Sequence, residues 1–499
     1  MRAIALLLCL LSTQAWAVDC SNDCFMRPAA DCANNGDGTA YECAASGGAV
    51  GAWRTAANVV WGASGVDTGH TLRACSSESS PFTTADYDGG GLAVLSVDQA
   101  GAKVNGDCSA SGGGTMAYFE GNGSRDYGVY CATNAHCSGQ DWRNMTVNGT
   151  DVRGFYVRND LSTSGVHNAV LENLTATDIA GAAGNGPHGF SVFGSGATLT
   201  NVRAERTTDD CFSIQGPNTT LSNWICIYPG YLQTGDHGDC VQVVNAADNS
   251  KVRLGYCDKR NNATKQCVIF GDPATGSSGE ITDNVCMMAE TGGATNSTKA
   301  LYSVVPSTRF ERNFIYGSYY GIYMLGAGSS AVGNVLVGQE LRGIDAVSTV
   351  TSGTHLIANN SVYNSNSCFV FSGGASVTIN AYNNLAMGCA TAGYTKGGSA
   401  TLNQTNNAAY SNTANTSGSV GSIAVTSDPL LVGGSSPNDA AGFCLEPDSP
   451  LLAAGTYIGA WATGYNGEDL GKPPAIGARG LCLGRAPADT RVLATGRAQ

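Results

Sequence analysis

Six residues of unlike chemistry, Arg153, His188, Asp210, Asp239, Gln266 and Lys299, occupy the same place in successive copies of one short pattern: a polar residue, a small one, then alternating large apolar positions. Asp209, Asp236, His237, Gln242 and Lys265 flank them. Acids, imidazoles and amines gathered at one repeat position are the groups of general acid and base chemistry. Hydrolysis of a glycosidic bond needs a proton donor and a second carboxylate that activates water or attacks the sugar. Asp209 or Asp210 together with Asp239 supplies such a pair, and like charges on adjacent repeats raise one of the pKa values. Elimination beside a uronate carboxylate instead needs that carboxylate neutralised and a base of moderate pKa. Ca2+ held by Asp210, Asp236 and Asp239 meets the first need, and His188, His237, Lys265 or Lys299 the second; an epimerase shares this first step. The hydrolytic route requires no cofactor.

The elements that carry these residues follow from the repeat. Its copies start at 153, 188, 210, 239, 266, 299, 320, 342 and 367, an irregular spacing of 21 to 35 residues that suits a solenoid with loops of variable length. About half a repeat later a second ladder appears, at Asn173, Asn201, Asn223, Asn284, Asn313, Asn334, Asn360 and Asn384. Asn tolerates the left-handed backbone of a tight turn, and stacked amides hydrogen-bond from one layer to the next. Between the ladders apolar residues alternate at period two, which indicates strands rather than helices. The expected fold is all-β: a right-handed parallel β-helix of roughly ten coils. Equivalent residues of neighbouring coils are then about 4.8 Å apart, so the polar members form one column. A polymer lying along it would meet Arg153, Gln242, Lys265 and Lys299 as binding groups, and Tyr156, Tyr302 and Tyr323 as outward stacking surfaces.

Composition and charge narrow the class. The 499 residues include 67 Gly and only 13% charged residues. Residues 1–17 read as a secretory signal, with one early base, an apolar stretch and Ala15-Trp16-Ala17 at its end. Its removal takes away Arg2 and Cys9, leaving 25 basic against 39 acidic residues and an even 18 cysteines. An oxidising, secreted location is expected, extracellular or periplasmic. The negative charge disfavours nucleic acid and anionic membrane surfaces as partners, and a monomer acting on a polysaccharide is expected. Residues 18–135 read as a disulfide-tied lead-in, a cap and the first coils, with an amphipathic helix over 49–60. Residues 136–425 read as the β-helix, and 426–499 as the closing segment and tail. A non-catalytic adhesin or carbohydrate-binding β-helix is the alternative from another class, but it does not account for acids, histidines and bases concentrating between Arg153 and Lys299.

Thr208-Asp209-Asp210-Cys211-Phe212-Ser213-Ile214 resembles the paired-aspartate motif of polygalacturonase-type glycoside hydrolases, within the pectin-lyase-like superfamily of parallel β-helices. Pro187-His188-Gly189-Phe190 aligns with that family's Asn-Thr-Asp-Gly-Phe motif, with His188 in place of its essential aspartate. Asp236-His237-Gly238-Asp239 stands where the family has His-Gly. The resemblance implies Asp209 as acid and Asp210 as water-activating base, with Asp239 in the role His188 cannot fill and His237 orienting them; it favours hydrolysis over elimination. It also implies a disulfide Cys211–Cys226, and by extension Cys240–Cys257 and Cys267–Cys286.

Overall fold

The computed structural model describes residues 23–482, apart from 35, 37, 45–49, 51, 84–92, 112, 132–135, 158–167, 182–185, 232–237, 245–247, 261–264, 272–277, 290–297, 349–351 and 462. The signal segment, Cys20, Asp236 and His237 lie outside the described residues. All the extended ladders among the described residues are parallel, in one 13-stranded and one 22-stranded sheet. The chain is the expected right-handed parallel β-helix.

The 13-stranded sheet runs from Ala93–Ser96 to Thr416–Ser417 and pairs each strand with its counterpart one coil later. Its inward positions keep one register through Phe155, Phe190, Phe212, Val241, Val268, Leu301, Ile322, Ile344, Phe369 and Tyr394. The first three rings stack at 5.0 Å. Large apolar side chains in one register bury each other on both sides, so each coil's core is completed only by its neighbours.

The larger sheet bends at the Asn turns, and here one expected ladder proves to be two. Asn144, Asn173, Asn201 and Asn223 have left-handed backbone, and their amides link in a partly exposed series. From the next coils on, the left-handed residue is Asp283, Arg312, Gly333, Asn359, Asn383 or Asn406, one position earlier than the ladder residue. Asn284, Asn313, Asn334, Asn360, Asn384 and Asn407 then turn inward and form a buried ladder. The switch falls at Leu254–Gly255. Gly255 holds the first buried-ladder position, its N–H donating to Asn284 Oδ1 at 3.0 Å, and a Cβ there would lie 1.8 Å from the Trp224 ring. Trp224 thus fills the space that an earlier inward Asn would need.

Disulfides Cys211–Cys226, Cys240–Cys257 and Cys267–Cys286 cross the core on three consecutive coils. Closing loops of this size contributes on the order of 3 kcal/mol each. Five more bridges, Cys32–Cys43, Cys75–Cys108, Cys131–Cys137, Cys368–Cys389 and Cys444–Cys482, tie the described N-terminal, late and closing segments.

Among the described residues the solenoid's first strand is Asp23–Met26, which pairs with Thr71–Ala74. The amphipathic helix expected over 49–60 is absent from the described residues of that stretch: only a 3-10 turn, Ala56–Asn58, forms, and Trp53 bridges to Met26. So short a segment does not sustain a helix unless packing rewards it. At the other end Leu431, Phe443, Leu451, Tyr465 and Ile476 pack beside Tyr256, Val285, Phe314, Val335 and Leu385, so the closing segment runs back along the side of the coils.

Candidate active site

The polar column is continuous. Strand register sets Tyr127 beside Arg153 and Arg153 beside His188, then Lys299 beside Tyr320 and Tyr320 beside Arg342. Between them, Gly189 N–H donates to Asp210 O, Cys211 N–H to Asp239 O and Cys240 N–H to Gln266 O, which joins the central coils in the same register.

At the centre the side chains join the backbone. Asp210 Oδ1 accepts the Asp239 N–H at 2.8 Å, and Asp239 Oδ1 accepts the Gln266 N–H at 2.6 Å. Each carboxylate therefore clamps the next coil, and both are almost wholly buried, with exposures of 2% and 4%. Burial, followed by the charges of Asp239 and Asp209, raises the Asp210 carboxyl well above the ordinary range. Burial also raises Asp239, against the opposing pull of Lys259, the Gln266 N–H and Lys265.

Lys259 is the buried counter-charge. It ends strand Tyr256–Lys259 on the opposite sheet, is fully buried, and donates from Nζ to Gly238 O. Burial pulls its pKa down to about 8, while Asp239 and Asp210 oppose that shift. Lys259 has no role in the sequence reading above. The signal was its register, because Lys259 pairs with Met288, an inward core position, where an ammonium needs a partner.

His188 lies against the acids from the previous coil. Its Nε2 is 3.5 Å from Asp209 Oδ2 and 3.7 Å from Asp210 Oδ2. Its Nδ1 is 2.9 Å from Ser191 Oγ, which accepts the Arg153 Nε–H at 2.8 Å. Ser191 is the second group that the sequence did not single out. It sits three residues after His188, on the same outer face.

One ligand atom from each of His188, Asp209 and Asp210 falls within 4.8 Å of the others. Two carboxylate oxygens and an imidazole nitrogen so placed suit a divalent cation. The imidazole is a weaker match to calcium, which prefers oxygen ligands. This group differs in membership from the Asp210, Asp236 and Asp239 set expected for a metal: Asp239 is not among the residues whose ligand atoms gather there, and Asp236 lies outside the described residues.

Of the expected binding groups, Lys265 and Gln242 are half-buried on this face. Lys265 stands one residue before the column, in the position held by Gly238 and Asp209 on the two preceding coils. Lys299 lies beside Tyr302, its Nζ 5.4 Å from the ring centre. Tyr156 corrects the stacking expectation. It lies on the outer face, yet only 6% of it is exposed, because Tyr127 and Tyr130 stack on it at 5.1 and 5.4 Å and Arg153 lies 4.7 Å from its ring.

No protein-family model and no curated protein matches the chain. Among solved structures it is similar to pectate lyase Pel9A, with a TM-score of 0.43 and 14% identity over 92% of this chain and 97% of that one. It is also similar to the periplasmic alginate epimerase AlgG, with a TM-score of 0.37 and 9% identity over 69% of this chain and 81% of that one.

Proposed function

We infer that this chain is a carbohydrate-active enzyme that binds an acidic polysaccharide along the outer face of the 13-stranded sheet and abstracts the proton beside a uronate carboxylate, breaking the chain by elimination. The observation that carries this reading is the clamped state of Asp210 and Asp239. Hydrolysis needs two carboxyl groups presented to the sugar from either side. Here both acids are buried and bonded to backbone N–H groups, which leaves Asp209, with a side chain 14% exposed, as the more open of the three.

His188, Asp209 and Asp210 supply the site for a cation, and a divalent ion held there would neutralise the uronate carboxylate. Arg153 and Ser191 hold the His188 ring in place. Asp210 and Asp239, balanced by Lys259, fix the spacing of the coils beneath the substrate. Lys265 lies two coils beyond Asp209, about 10 Å along the column, with side-chain-free Gly238 between them. Its amine is the base that takes the proton; the electron pair left behind forms the new double bond as the bond to the glycosidic oxygen breaks, and that oxygen takes a proton from water. The three crossing disulfides under these coils keep that spacing rigid.

The test is a panel of polygalacturonate, alginate and neutral glycans, followed for new reducing ends and for unsaturated products in the near ultraviolet. Both signals on a uronate polymer are expected, and Lys265→Ala should lower the rate by at least about a hundredfold. Reducing ends alone would mean hydrolysis.

A further inference from the structure

Beyond Lys265 the same face carries a second constructed cluster. Lys299 Nζ lies 5.4 Å from the ring centre of Tyr302, 5.8 Å from Tyr320 and 5.4 Å from Tyr323. The three rings come from two adjacent strands, Lys299–Ser303 and Tyr320–Met324, and meet edge-on or tilted. The next coil brings Arg342, whose guanidinium lies 5.8 Å from the other side of the cluster at Tyr320. Arg342 is pinned there by Asp345, which accepts from its Nη1 at 2.5 Å.

Two observations separate this cluster from ordinary surface. Asp345 has no side-chain exposure although it occupies the outward register of Tyr302 and Tyr323, and its Oδ1 is buried without a hydrogen-bond partner among the described residues. Lys299, Tyr302, Tyr320, Tyr323 and Arg342 are each half-buried, so their rotamers are already restricted and little entropy remains to be lost on binding. Later coils place Ser367 and Ala392 at the column position and Val370 and Thr395 at the outer one, and the cluster ends there.

We propose that Lys299, Tyr302, Tyr320, Tyr323 and Arg342 form a distal subsite that holds an anionic sugar unit of the same polymer, with the carboxylate between Lys299 and Arg342 and the sugar face on the tyrosine rings. This rests on the acidic-polymer reading above. Lys299 is three coils from Asp210 and Arg342 five, about 14 and 24 Å along the column. One chain therefore reaches both sites only if it is several units long. The subsite acts through length: it ties down the far end of a long substrate and is out of reach of a dimer.

The experiment measures affinity and turnover of the full chain with polygalacturonate and alginate oligomers of about two and about eight units, for wild type, Tyr320→Ala, Lys299→Gln and Tyr320→Phe. For Tyr320→Ala and Lys299→Gln the long-to-short preference should fall about tenfold, while Tyr320→Phe should keep most of it. An unchanged preference in a folded variant overturns the subsite, and so does an equal loss with a neutral dextran oligomer. Length-dependent binding lost in the variants without any turnover by the wild type keeps the subsite and sinks the enzyme reading. A wild type that binds neither acidic polymer overturns both.

Discussion

Two ladders on opposite sides of the same coils solve one problem in different ways. On the turn side, Asn284 to Asn384 accept the N–H of the preceding coil and donate one amide hydrogen back to a carbonyl of that coil and the other onward to the next Asn, so every group is satisfied and the charge is zero. On the site side, Asp210 and Asp239 accept the N–H of the following coil but have nothing to donate. An amide would serve the fold at that position. The carboxylates instead bring buried charge, a raised pKa and a lysine drawn into the core to oppose them. Stacking alone does not call for these costs, which accords with the catalytic reading proposed for this face.

The largest effect should come from giving the silent ladder the chemistry of the other. Asn334→Asp loses the donors to Phe310 O and Asn360 Oδ1 and adds a buried charge, which we expect to cost about 4 kcal/mol or more in denaturant unfolding. A cost below about 1 kcal/mol would remove the distinction between the ladders.

Removing the counter-ion comes next. Lys259→Met should lower stability near pH 7 by about 3 kcal/mol. The carboxyls of Asp210 and Asp239 are already raised in the folded state, and without Lys259 they rise further. Folding then favours their protonated forms, so the loss should be small below the ordinary carboxylate range and grow as pH rises through the folded-state values. A loss independent of pH between about 4 and 8 would show that Lys259 acts only by packing.

The smallest effect sharpens the comparison most. Asp210→Ala leaves the Asp239 N–H without its acceptor and should cost about 1–3 kcal/mol. Asp210→Asn keeps an acceptor and removes the charge, and should be neutral or stabilising. Equal melting temperatures for the two variants would mean that the clamp contributes little.

The column was legible in the sequence because its signal is local: one polar residue, one small one and a period-two apolar run, repeated. Fold and register followed from that. What escaped depends on neighbours one coil away. Lys259 lies 20 residues from Asp239 in the chain and meets it only across the core. Ser191 looks like any strand serine until Arg153 reaches it from the previous coil. The shift from an outer to an inner Asn ladder turns on Trp224 meeting Gly255, a steric fact that neither residue announces by itself. Tyr156 alternates outward as its pattern says, but the rings covering it come from the coil before. His237 and Asp236, prominent in the sequence, lie outside the described residues.

The central claim is that this face removes a proton from a uronate and does not hydrolyse a glycoside. Its most direct test is the absorbance of products from polygalacturonate and alginate, read beside new reducing ends, with wild type and Lys265→Ala assayed together. Unsaturated ends appearing one for one with reducing ends, and lost in the variant, are the expected result. Reducing ends without unsaturation, or full activity in Lys265→Ala, would contradict it.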